Sequence, residues 1–218
     1  MKTESQIKRR LWPWLIVLAL AIAALVCAFF CDAAVASRVN TNASAHVKHW
    51  AVVVSRVGDW PAHVALGVVG VAAAFFARRR DWLRIFLAML IACALAGIGA
   101  RIIKIATGRA RPSIKTETMW NGPQFRANYN AFPSGHTASS AAFFASLVLA
   151  RRKLGAPFLL IPLLIALARI LSGAHYLSDV TFAAALGLAC ALLTSRLLST
   201  SQPLNPSTNH GCQQQLHS

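Results

Sequence analysis

The stretch AFPSGHTASS, residues 131–140, puts a Pro-Ser-Gly-His turn inside a run, residues 127–150, that has no Lys, Arg, Asp or Glu. A titratable imidazole at the mouth of such a run reads as the start of a helix entering an apolar phase. At that N-terminus Ser134 and Gly135 can present backbone N–H groups, and Gly135 lets a ligand come close to the chain.

Outward from this turn the pattern repeats. Charge-free runs cover residues 11–31, 60–77, 85–100, 127–150, 154–168 and 180–195, six candidate membrane spans in a chain of 218 residues that is 56% apolar. A bilayer-crossing helix needs about 20 residues, so the shorter runs must continue into their charged flanks. The third then carries Arg101 and Lys104 on its last turns, facing protein or a water-filled pocket rather than lipid. The first run follows Lys8-Arg9-Arg10 and precedes AVAS at residues 34–37, a signal-peptide-like arrangement. Its apolar core is too long for that, and a retained helix is expected. The fold class that follows is all-α: a polytopic membrane protein of six transmembrane helices. Residues 1–10 are expected as a cytoplasmic N-terminus, 11–198 as the membrane domain, and 199–218, polar and without apolar period, as a disordered cytoplasmic tail.

Twenty-two Lys and Arg against six Asp and Glu give a formal net charge of +16. A nucleic-acid binder would gather such charge on a polar domain; here it punctuates apolar runs, so no nucleic-acid partner is expected and the basic residues serve as topology signals and anion ligands. The clusters Lys8-Arg9-Arg10, Arg78-Arg79-Arg80 with Arg84, and Arg151-Arg152-Lys153 put both termini in the cytoplasm by the positive-inside rule. The loops of residues 32–59, 107–136 and 172–178 are then outside. Trp12, Trp14 and Trp82 fall at one boundary, and Trp50, Trp60 and Trp120 at the other. The five cysteines form no spaced disulfide framework.

Three packets of ionisable residues fall on that outer side: Lys104, Arg109 and Arg111-Pro112; Ser134-Gly135-His136; and Arg169, His175 and Asp179. Fixed cations, a helix N-terminus and two imidazoles describe a site for a phosphate-like oxyanion. Asp179, four residues after His175, can orient its ring and sharpen the other nitrogen as a nucleophile. His136 can then protonate a leaving oxygen.

The spacings Lys104-x6-Arg111-Pro112, Pro133-Ser134-Gly135-His136 and Arg169-x5-His175-x3-Asp179 closely resemble the three-part signature of the type 2 phosphatidic acid phosphatase and vanadium haloperoxidase superfamily. The resemblance implies a helical fold with the site near the outer membrane face. It also implies roles: Lys104, Arg111 and Arg169 bind phosphate, Ser134 and Gly135 complete the cradle, His136 is the general acid, His175 the nucleophile and Asp179 its partner. Members of this membrane type work without a metal, so no metal or other cofactor is expected. One departure is Ala168, where the family usually has Ser.

The function expected is a lipid phosphatase of the inner membrane with its site facing the periplasm or outside. Its substrate would be a phospholipid or a polyprenyl pyrophosphate: undecaprenyl pyrophosphate, phosphatidylglycerophosphate, phosphatidic acid or the 1-phosphate of lipid A. A phosphotransferase using the same phosphohistidine, a non-catalytic lipid transporter or scaffold, and a haloperoxidase are the competing readings. Arg109 and Arg126 are read as loop residues that are solvated or touch substrate, Arg101 as a snorkelling residue, and His46, His49 and His63 as interfacial. Asp59 is read as a helix cap, with shaping of a lipid entrance as a second role.

Overall fold

The computed structural model describes residues 4–114 and 116–200, with backbone alone for residues 4–11, 57, 199 and 200. Most of the expected tail, residues 201–218, lies outside the described residues. The helices are α1 (Glu4–Asn42), α2 (Ala45–Val57), α3 (Trp60–Phe76), α4 (Arg80–Thr107), α5 (Gly135–Ala150), the single turn α6 (Arg152–Gly155), α7 (Leu160–Leu171) and α8 (Leu177–Thr200). No strand occurs among the described residues.

Five segments are long and apolar enough to cross a membrane: Trp12–Asn42, Ala45–Phe76, Arg80–Thr107, Arg152–Leu171 and Leu177–Leu198. Their outer surfaces are lined with exposed Leu, Val, Ile and Phe, as a lipid-facing surface requires. The fourth expected span, α5, is a shorter apolar helix of 16 residues. Every residue from Thr137 to Leu147 in it is buried, so it forms the centre around which the others pack.

The core explains why that helix sits in the middle. Ala92, Ala96 and Ala100 of α4, Ala138, Ala142 and Ala145 of α5, and Ala183 and Ala191 of α8 form one buried cluster. Small residues four apart let helix backbones approach closely where lipid supplies no hydrophobic contrast. Gly187 completes the α8 row: a Cβ there would lie 2.6 Å from the carbonyl oxygen of Ala138 and 2.8 Å from the amide of Ala142. A second cluster, Ile85, Met89, Cys93, Phe143, Phe144 and Leu147, fills the other end of the α4–α5 seam.

Two expectations are corrected here. Residues 32–59 are not a loop, because α1 continues to Asn42 and α2 occupies most of the remainder. Asp32 looked like the end of a span, but it is buried and paired with Arg109, so its charge marks no boundary. In the fourth run helix begins only at Gly135, and residues 127–129 form a separate 3-10 turn.

Candidate active site

The three packets converge. Lys104 lies on the last turn of α4, where Gly108 at φ +54° caps the helix and its N–H donates to the Lys104 carbonyl. No other residue fits at 108: besides its left-handed backbone, a Cβ would meet the Gly122 carbonyl at 1.9 Å. The loop that follows is folded rather than free. Ala110 N–H donates to Met119 O at 2.8 Å, Arg111 N–H to Asn128 O at 3.0 Å and Ala131 N–H to Arg109 O at 3.0 Å, which carries the chain back to α5. Lys104, Arg111 and Arg169 all act electrostatically on His136, and Lys104 and Arg169 also act on His175.

Ser134 caps α5 through its hydroxyl, which accepts from the Thr137 hydroxyl at 3.0 Å and the Thr137 amide at 3.5 Å. Its own N–H is already given to the carbonyl of Asp179 at 3.2 Å. The expectation that this amide faces a ligand is therefore corrected. The open helix terminus begins at Gly135, where a Cβ would lie 4.0 Å from Lys104 Nζ.

His175 is almost fully buried. Its Nδ1 donates to the Ala131 carbonyl at 2.6 Å, with Asp179 Oδ2 further away at 3.5 Å. Two acceptors on one nitrogen fix the tautomer and leave Nε2 with the lone pair. Burial pushes the imidazole down to about 3, against the opposing pull of Asp179, so the ring is neutral at physiological pH. Asp179 is itself held by two further donors, since Tyr176 N–H donates to Oδ2 at 2.8 Å and Arg109 Nη1 to Oδ1 at 2.5 Å.

Arg109 corrects another expectation. It is one of the largest fully buried side chains, where a solvated or substrate-touching residue was expected. Besides Asp179 it pairs with Asp32 of α1 through Nη2 at 2.7 Å, and it meets the rings of Phe29, Trp120 and Tyr176 at 5.3, 4.8 and 4.3 Å. Ser178 closes the network, bonding to Asp32 through hydroxyl and amide.

The phosphate-binding candidates have no such partners. Arg111 donates through Nε and Nη2 to the Asn130 amide oxygen at 3.2 and 2.8 Å, and Arg169 donates through Nη1 to Ser55 at 3.0 Å. Among the described residues no carboxylate pairs with Lys104, Arg111 or Arg169, and Arg169 Nε is buried without a hydrogen-bond partner. Ser55, from α2, thus gives Arg169 a hydroxyl while Ala168 offers none. The parts played by Asn130, Ser55 and Asp32 were invisible in the sequence, because each depends on a partner distant along the chain.

His136 is only partly buried. Its Nε2 lies 3.1 Å from Asp59 Oδ1. His63, expected at an interface, is instead buried between α3 and α5, with Nε2 3.1 Å from Ser140 Oγ. Beside His136, Asp59 and Arg101 opens a cavity of about 630 Å³ whose other walls, Ser139 apart, are apolar and include Val64, Ala94, Gly97 and Ile98.

The model of the PAP2 superfamily matches residues 82–203, which hold all three packets. The chain belongs to the PAP2 superfamily. Two lipid A 1-phosphatases, from Rhizobium johnstonii and Rhizobium etli, are 34% and 35% identical to this PAP2 protein over 103 residues. That is 46% of this chain and 42% and 44% of theirs, so the match spans less than half the length of these relatives. Among solved structures, a transmembrane PAP2-type phosphatidylglycerolphosphate phosphatase from Bacillus subtilis aligns with a TM-score of 0.64 at 20% identity, covering 88% of this chain and 96% of that one. LpxE from Aquifex aeolicus aligns with a TM-score of 0.57 at 22% identity, covering 76% and 94%. The likeness establishes the fold, an all-helical PAP2 membrane protein.

Proposed function

We propose that this PAP2 protein is a membrane lipid phosphatase that works through a phosphohistidine. The observation that carries the reading is the junction of two surfaces: three cations that have no carboxylate partner among the described residues, and a largely apolar cavity that opens beside them at His136. A phosphorylated lipid has that duality, with the phosphate against Lys104, Arg111, Arg169 and the Gly135 terminus, and a chain in the cavity.

His175 Nε2 attacks phosphorus while the bond to the lipid oxygen breaks, and that oxygen takes a proton from His136. Water, giving its proton to His136, then attacks the phosphohistidine and releases phosphate. Charge on the transferring group is met by Lys104, Arg111 and Arg169, with Asp179 stabilising His175 as it becomes cationic. No step requires a group beyond these side chains and water.

The basic residues Arg78, Arg79, Arg80 and Arg151 line a common hollow, and three of them precede or start α4, whose 28 residues run about 42 Å to the site. That separation supports an orientation with the basic end in the cytoplasm and the site outside. Among the four candidate lipids, the names of the two Rhizobium relatives favour the 1-phosphate of lipid A.

The test is phosphate release by the purified protein and by His175→Ala, in excess EDTA, across those four lipids. Release that vanishes in the variant is the expected result. Release that survives the substitution, or no release from any of them, overturns the reading.

A further inference from the structure

The site has two imidazole–carboxylate pairs, and only that of His175 belongs to the signature. The other joins helices that are far apart in sequence. Asp59, the N-cap of α3, and His63 stand four apart, as do His136 and Ser140 on the first turns of α5, so each pair shares a helix face. The two faces meet at both positions: His136 Nε2 lies 3.1 Å from Asp59 Oδ1, and His63 Nε2 lies 3.1 Å from Ser140 Oγ.

The second contact registers the first. His63 Nδ1 lies 3.0 Å from the backbone carbonyl of Asp59, which can only accept, so Nδ1 carries the proton and Nε2 accepts from the Ser140 hydroxyl. The same oxygen that faces His136, Asp59 Oδ1, also accepts the N–H of Trp60 at 2.7 Å. Main chain and side chain of Asp59 are therefore both pinned, against the helix that carries His136.

We propose that Asp59 is a positioning residue for His136. It occupies Nε2–H, which leaves Nδ1 as the nitrogen that exchanges protons with the substrate. It also supplies a negative charge that favours protonation of His136, which burial and the positive charges of Arg169, Lys104 and Arg111 oppose. The same arrangement serves both half-reactions. Nδ1–H is given to the leaving oxygen, and the ring remains neutral with Nε2–H on Asp59. The Nδ1 lone pair that this frees then takes the proton of the attacking water. The inference rests on His136 as the general acid proposed above.

Asp59→Asn tests it without removing the helix cap, because Asn caps as well as Asp. A general acid matters most when the leaving oxygen is strongly basic, so kcat/KM is compared on dodecyl phosphate and on 2-dodecyl-4-nitrophenyl phosphate, whose phenolate leaves without a proton. Asp59→Asn is expected to lower the first by about 10-fold or more and the second by less than about 3-fold, with His136→Ala showing the same selectivity more strongly. A merely structural role would lower both alike. Equal losses, or none, in Asp59→Asn beside a selective His136→Ala overturn this inference alone. An unselective His136→Ala, or a wild type that cleaves neither ester, overturns the acid assignment and the inference with it.

Discussion

Arg109 and Arg111 stand two residues apart in one loop and face opposite regions of the protein. Arg109 points into a sealed network in which Asp32 and Asp179 take its charge and three aromatic rings surround its guanidinium. Arg111 turns toward Lys104, and among the described residues its guanidinium bonds only to a neutral amide, that of Asn130. The chemistry of the two side chains is identical, and the neighbours decide the use. A cation already balanced by buried carboxylates is structural, whereas one left unbalanced beside two others is available to an incoming anion.

The largest effect should come from breaking the sealed side. Arg109→Ala leaves two buried carboxylates without a counter-charge and is expected to cost about 3–5 kcal/mol of stability, read as a large fall in the thermal unfolding midpoint in detergent. Arg111→Ala is expected to do the reverse. Loss of one donor to the transferring phosphoryl group costs about 10²–10³ in rate, while the unfolding midpoint stays close to that of the wild type. If Arg111→Ala unfolds the protein, or Arg109→Ala changes rate alone, the division between the two regions fails.

His175 belongs to both regions through Asp179, and pH separates its contributions. Folded, burial keeps the ring neutral down to about pH 3, whereas an unfolded histidine protonates near 6.5. Between those values the unfolded chain binds the extra proton, so stability is full above about 6.5 and is lost as pH falls toward 3. The unfolding midpoint should fall between pH 7 and pH 5, and His175→Asn should flatten that slope. The smallest effect belongs to the open side. Ser55→Ala removes one hydrogen bond to Arg169, worth about 1 kcal/mol, and should raise the vanadate concentration needed for half inhibition by about fivefold. No change there would mean that Ser55 does not orient Arg169.

The same contrast explains what the sequence disclosed. Lys104, Arg111, His136, Arg169, His175 and Asp179 were legible because their spacings are regular and their packets fall on one side of the charge-free runs. Those runs located the helices, but they treat every carboxylate as an end. Asp32 lies within α1, neutralised by a residue 77 positions away, and no local pattern distinguishes it from a residue in water. α2 was missed for a related reason, since Lys48, Arg56 and two histidines break its apolar content, although it packs against α7 and carries Ser55 to Arg169. Asp59 was read as a helix cap, which it is; its contact with His136 depends on how α3 meets α5, and that is decided by side chains 77 residues apart.

Gly187 sets the mechanical character of the site. With no side chain there, α8 lies flush against the main chain of α5, and these helices carry or adjoin the two imidazoles. They form the fixed jaw of a vice, whose gap cannot widen without parting backbone from backbone. The facing jaw, α2 and α3, meets α5 and α7 through side chains such as His63 and Ser55, which have rotamers to spend. Any change in the width of the pocket therefore falls to that jaw, while the spacing of the two imidazoles stays constant.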